Sequence, residues 1–215
     1  MRLALLGWIA VCGLAQQPVP AAPESHHHAV YEDARVRILD VQIEPRESIP
    51  AHRHDSDYVW VADSTMHFSR GGVAHVERNR EIIVELVQRQ INPHNVCGEI
   101  LPGEYLHCHE PGSEWLGANL EIQFETDQTR FGILQIAPNS ALTVPPTDVP
   151  SLLIALEGAE AEAVTRANGD PGGGRRRSVT TANVLRSPAD QVTEIRNTGK
   201  APARFLVVEF GGPGE

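Results

Sequence analysis

The sequence predicts an all-β protein built as two barrel-type units in series behind a leader for export. Three observations carry that expectation. Apolar and polar residues alternate with a period of two in many short runs, as in Arg35 to Ile43, the pattern of strands with one buried face. Pro, Gly, Asn and Asp punctuate these runs, with 18 Gly and 16 Pro in 215 residues. No stretch of ten or more residues has a convincing helical period. Hydrophobic residues make up 41% and aromatics only 5%, so the core must rest on Val, Ile, Leu and Ala. The formal net charge is −10. Such a chain repels phosphate backbones, and its one basic run, Arg175–Arg177, is too short to reverse that, so nucleic acid is excluded as a partner.

The elements follow in chain order. Residues 1–22 read as a signal peptide and the start of a linker: Arg2 supplies the charge, Leu3 to Val11 the apolar run, and Gly13 and Ala15 the small residues of a cleavage site. Cleavage is expected after Ala15 or near Ala22; a buried N-terminal helix and a lipoprotein cut before Cys12 are the alternatives. The apolar run is too short for a membrane span, which needs about 20 residues. Residues 23–29 are expected to be linker, and His26-His27-His28 a flexible arm rather than a fixed ligand set. The first unit is placed at 30–95, with strands at 35–43 and 82–86. A connector at 96–119 carries Cys97 and Cys108, expected to form a disulfide because they are the only cysteine pair left in an exported chain. Free thiols, or a metal site with His107 and His109, remain open. The second unit is placed at 120–215, with strands at 120–124, 131–136, 152–156 and 205–210, and a mobile hairpin loop at 168–177. A faint repeat relates VQIEPRESIPAHRH (41–54) to LQIAPNSALTVPPT (134–147), and HVERN (75–79) to TEIRN (193–197), as two similar units in series would give.

The ten histidines are the main chemical signal. In His52-Arg53-His54, residues i and i+2 of an extended segment face the same way. His75 follows 21 residues later, behind Gly71-Gly72, and an antiparallel return would set it opposite the first two. Three neutral imidazoles from neighbouring strands suit Fe, Mn, Zn, Ni or Cu. Surface histidines at a strand end are the bland alternative.

These residues resemble the cupin superfamily. PRESIPAHRH supplies its H-x-H, and GGVAHVERN its G-x2-H-x3-N. The resemblance covers most of 30–87, with a degenerate copy over roughly 120–210, and implies two tandem cupin-type jelly-roll barrels, a secreted bicupin. It carries His52, His54 and His75 over as metal ligands. There are departures. Arg46 stands at the first Gly, Tyr58 or Val59 at the ligating Glu, and Arg70 at the Pro. Asp57 is one residue away and should face the wrong side. A three-His site without a carboxylate is therefore expected. In the second copy Pro145, Thr147 and Thr193 replace the three His, while Gly158 and Asn197 are kept, so no metal is expected there.

No H-E-x-x-H, G-x-S-x-G, P-loop or dinucleotide fingerprint is present. The expected function is an exported protein that binds a divalent transition metal, or a small molecule, in its first barrel without a demonstrated reaction. The alternative is a metal-dependent enzyme of the cupin dioxygenase or isomerase type acting on a small organic substrate. A small-molecule ligand and a homodimer are the partners left open.

Overall fold

The computed structural model describes residues 19–20, 26–44, 46–47, 49–62, 65–77, 80–95, 99–101, 104–105, 116, 119–170, 172–187 and 189–211. No α-helix occurs among them. The strands, in chain order, are β1 Val19–Pro20, β2 His27–Glu32, β3 Val36–Val41, β4 His52–Arg53, β5 Asp57–Ala62, β6 Thr65–Ser69, β7 Ala74–His75, β8 Glu81–Leu86, β9 His94–Asn95, β10 Glu99–Leu101 and β11 Glu104–Tyr105. The second half holds β12 Leu120–Glu125, β13 Thr129–Ile136, β14 Ala141–Val144, β15 Ser151–Ala155, β16 Ala161–Ala167, β17 Arg175–Val179, β18 Val184–Ser187, β19 Gln191–Asn197 and β20 Ala203–Phe210.

Each half pairs a large sheet with a smaller one. In the first, the order β2-β3-β8-β5-β6 faces the small sheet β1-β4-β7; in the second, β18-β15-β20-β13-β12-β9 faces β14-β19-β16-β17. The central strands of the large sheets are buried on both faces. One face of each lines its own unit: Leu39, Val41, Tyr58 and Ile83 in the first, with Ile49 of the following loop packed on them, and Leu134, Leu153, Phe205 and Val207 among others in the second. The opposite faces pack the two units together, with Val36, Ile38, Val59 and Val84 against Phe131, Ile133, Leu152, Ile154, Leu206 and Val208. Two-sided burial explains why Ser151–Ala155 is buried at every position and reads as an unbroken apolar run instead of alternating.

Several boundaries differ from the sequence expectation. β2 begins at His27, so the segment assigned to linker at 23–29 is partly strand, paired His27 to Val41 and His28 to Asp40. The expected connector at 96–119 contains the β10–β11 pair. β9, inside the bounds assigned to the first unit, hydrogen-bonds to β12 of the second unit's large sheet. The hairpin loop assigned to 168–177 is shorter, because Arg175, Arg176 and Arg177 belong to β17 and pair with Thr165, Val164 and Ala163. Cys97, Cys108, His107, His109 and the leader through residue 18 lie outside the described residues. No helix among the described residues is long and apolar enough to cross a membrane.

Candidate metal centre

Short strands bring the site together. β4 and β7 pair antiparallel with His52 directly opposite His75, the juxtaposition expected from the spacing. The return depends on Gly71-Gly72. A Cβ on Gly71 would collide with the Asp55 carbonyl, and Gly72 takes φ +80°, a conformation that glycine adopts without strain. The Gly72 N–H donates to the His54 carbonyl at 2.7 Å, which ties the turn to the strand end carrying the H-x-H. At the Gly position of the first motif, Arg46 also has a positive φ, 74°, so the chain keeps the bend without the residue.

His52 and His54 are both buried, at 0% and 1% exposure. Two further groups join them. His27 arrives from the edge strand β2, and Glu77 lies two residues beyond His75, fully buried. One donor atom from each of His27, His52, His54 and Glu77 lies within 4.8 Å of the others. The carboxylate oxygen Oε1 of Glu77 is the hub. It stands 3.2 Å from His27 Nε2, 3.1 Å from His75 Nε2, 3.6 Å from His52 Nε2 and 3.9 Å from His54 Nε2. His75 stacks parallel to His54 with centroids 5.0 Å apart. It is the most open of the five, its side chain 23% exposed, and Tyr58 hydrogen-bonds its Nδ1. The sequence reading named His52, His54 and His75 and expected no carboxylate. The structure gathers His52 and His54 with His27 and the Glu77 carboxylate in one donor group, and places His75 beside that group, against Glu77. Tyr58, at the expected Glu position, offers no carboxylate; it hydrogen-bonds His75 and packs its ring on His54 with centroids 4.6 Å apart.

The hydrogen bonds on the far side of each ring fix where its lone pair points. His52 Nδ1 lies 3.0 Å from the Pro50 carbonyl. A carbonyl only accepts, so Nδ1 carries the proton. In the neutral ring Nε2 then presents a lone pair toward Glu77. His54 Nδ1 lies 2.6 Å from Glu85 Oε1, with the same consequence. Lone pairs of imidazole nitrogens therefore converge on carboxylate lone pairs. His54 Nε2 and Glu77 Oε2 are buried and have no hydrogen-bond partner. Such an array is repulsive unless protons or a cation lie at its centre. A nitrogen-rich set with one carboxylate is the donor chemistry of first-row transition metals, so these residues fit the ion that the H-x-H spacing implies.

The titration of the groups agrees. Burial alone would raise the Glu77 carboxyl, but the four surrounding imidazoles hold it far below the ordinary carboxylate range. Burial pulls His54 down, and the Glu77 and Glu85 carboxylates outweigh it, leaving the ring with a raised pKa. Tyr58, buried beside Glu77, Glu81 and Glu85, is pushed up to about 12 and stays a phenol at neutral pH.

The remaining candidates lie elsewhere. Asp57 faces away from the cluster, as expected, and accepts from the Gly71 and Gln90 N–H groups and from Arg70. His67 stacks on Trp60 at 4.1 Å. His26 contacts Glu47, and His28 is exposed. In the second unit Thr193 is buried and bonds Thr165. Asn197 ties the chain by donating to the Ile136 and Ala201 carbonyls. Among the described residues the second unit has no metal-competent group.

No family model and no curated protein matches the chain. Solved structures are similar to it at low identity. AerE from Microcystis aeruginosa is 9% identical over 90% of this chain and 97% of its own, with a TM-score of 0.48. A Bacillus halodurans protein, BH2720, is 16% identical, with 41% of this chain and 66% of that one covered, just under two thirds, and a TM-score of 0.36. The Cupin_2 domain of an XRE-family transcriptional regulator from Enterobacter cloacae is 17% identical over 40% of this chain and 84% of its own, with a TM-score of 0.30. The solved structures similar to this all-β chain thus include cupin domains.

Proposed function

We propose that the chain is a cupin-type metal-binding protein of bicupin build, whose first barrel holds one divalent transition metal and whose second barrel is structural. The observation that carries this reading is the convergence of His27, His52 and His54 on Glu77, with His75 on its solvent side. The ion would be held by His52, His54, Glu77 and His27 or His75. It would supply Lewis acidity, or a redox centre if it is Fe, Mn or Cu. The chain's own residues keep His27, His52, His54 and Glu77 nearly free of solvent and fix the donor atoms before the ion arrives.

Binding without catalysis is favoured because four of the five converging groups are nearly fully buried, and the acid and base groups described beside them, Tyr58 and Glu85, are engaged by His75 and His54. One observation favours the second reading, a cupin-type dioxygenase or isomerase. His75 is partly exposed and tied back by Tyr58, so the side of the site that it occupies is where a small organic ligand would enter. A catalytic metal keeps a position open. X-ray absorption of the metal-loaded protein tests the proposal, with only nitrogen and oxygen neighbours expected. Sulfur at the distance of a metal–thiolate bond would instead place the ion on Cys97 and Cys108. Azide that alters the absorption of the cobalt-loaded protein would favour the enzyme reading; an unchanged spectrum favours a closed binding site.

The chain is further proposed to be exported, with its leader removed after Ala15 or near Ala22 and Cys97 paired to Cys108. The apolar run behind Arg2 and the single mature cysteine pair support this. N-terminal sequencing and peptide mapping without reductant test it; an intact Met1 or two alkylatable thiols would refute it.

A further inference from the structure

We propose that Glu85 is a positioning residue of the metal centre, the carboxylate that holds His54 in the one neutral form able to donate to the ion. The inference rests on the metal reading above and concerns a residue outside the ligand set. Glu85 lies on β8 opposite Arg37 and Tyr58, two positions beyond the core residue Ile83, so it faces the inside of the first barrel. Its Oε1 meets His54 Nδ1 at 2.6 Å, and Arg37 Nη1 stands 3.7 Å from its Oε2. The carboxylate is thus held from both sides, and its side chain is 14% exposed.

The geometry distinguishes His54 from its neighbours. His52 is held by a neutral carbonyl, His75 by a phenol, and His27 Nδ1 has no hydrogen-bond partner. Among the described members of the set, His54 alone has an anion on its Nδ1 side. A carboxylate there does two things. It keeps the proton on Nδ1, so that Nε2 faces the centre as a lone pair, and its charge makes that nitrogen a stronger donor. Glu85 also forms part of the wall of a cavity of about 250 Å³, shared with Arg37 and His54. That cavity lies behind His54, on the side away from Glu77. Shortening Glu85 therefore enlarges an existing, half-open pocket on the Nδ1 side of His54.

The test compares the wild-type mature protein with Glu85→Gln and Glu85→Ala. Zinc affinity is measured by competition with a chromophoric chelator, the melting temperature without metal, and the His54 tautomer by long-range ¹H–¹⁵N NMR of the metal-free protein. Glu85→Ala is expected to weaken zinc binding by roughly 10- to 100-fold. Glu85→Gln, which keeps an acceptor oxygen and loses the charge, should fall between. The metal-free wild type should show His54 protonated at Nδ1, and Glu85→Ala should lose that preference. Wild-type zinc affinity in Glu85→Ala overturns the proposal. So does a loss of affinity matched by metal-free unfolding, or a neutral wild-type His54 that carries its single proton on Nε2 instead of Nδ1, even where zinc still binds. A wild-type protein that binds none of Fe, Mn, Zn, Ni, Cu or Co removes the metal reading itself, a result distinct from zinc binding that ignores Glu85.

Discussion

Replacing His54 by Ala removes one of four converging donors and leaves the strand that carries it in place. Its size can be worked from the site. Structural zinc sites bind with an apparent free energy of about 10–16 kcal/mol at neutral pH. Shared over four donors, that is about 2.5–4 kcal/mol each, or roughly 100- to 1,000-fold in affinity. With free zinc at about a thousand times the wild-type Kd, binding stabilises the fold by about 4.1 kcal/mol. A variant weakened about 100-fold then gains only about 1.4 kcal/mol by the same relation. For a chain of this size each kcal/mol moves Tm by about 2–4 °C, so zinc should raise wild-type Tm by about 8–16 °C and that of His54→Ala by about 3–6 °C. Each protein is compared with its own metal-free melt, because the substitution also strips Glu85 of its 2.6 Å partner and lowers the baseline. Equal zinc-induced shifts in the two proteins would refute the reasoning, since His54 would then contribute nothing to the ion.

Other substitutions separate the parts of the account. His27→Ala should lower zinc affinity less than His54→Ala, because nothing anchors its ring through Nδ1; the same melts decide the order. Thr193→Ala, at the matching position of the second unit, should leave metal content unchanged and cost no more than about 1 kcal/mol for its bond to Thr165. Phe131, fully buried between the units, should cost about 3–5 kcal/mol when cut to Ala, read by denaturant unfolding. Asp57 gives a pH test: burial would raise its pKa, but Gly71, Gln90 and Arg70 hold it below the usual value. Its folded-state pKa is depressed, so its stabilisation is complete above the unfolded pKa of about 3.9 and fades as pH falls through the lower folded value. Asp57→Asn should therefore be less stable than wild type at pH 7, with the gap closing below about pH 4; a constant gap would show that the charge is irrelevant.

Much of the fold was legible because its strands obey simple rules. The runs at 82–86, 120–124 and 205–210 lie inside strands of the structure, since β-branched and apolar residues bounded by turn formers leave little choice. The H-x-H pair was legible for the same reason, as a period of two puts both rings on one face. Glu77 carried that signal too: His75-Val76-Glu77 is an H-x-E with the same spacing, so its carboxylate shares a face with His75. His27 was not legible. Nothing local distinguishes it from His26 and His28; only the register of β2 on β3, set by long-range pairing, turns the middle imidazole inward. The unit boundary was blurred for a related reason. β9 crosses to the second sheet through backbone pairing, which leaves no mark on side-chain pattern.

The account's central claim is one transition-metal site in the first unit, closed by Glu77. Metal analysis of the purified protein after repletion with Fe, Mn, Zn, Ni and Cu in turn tests it most directly, with the double variant His52→Ala/Glu77→Ala measured alongside. The account predicts one ion per chain for at least one of these metals in the wild type, and none retained by the double variant when it is still folded. No bound metal under any repletion, or one ion per chain in both proteins, would contradict it.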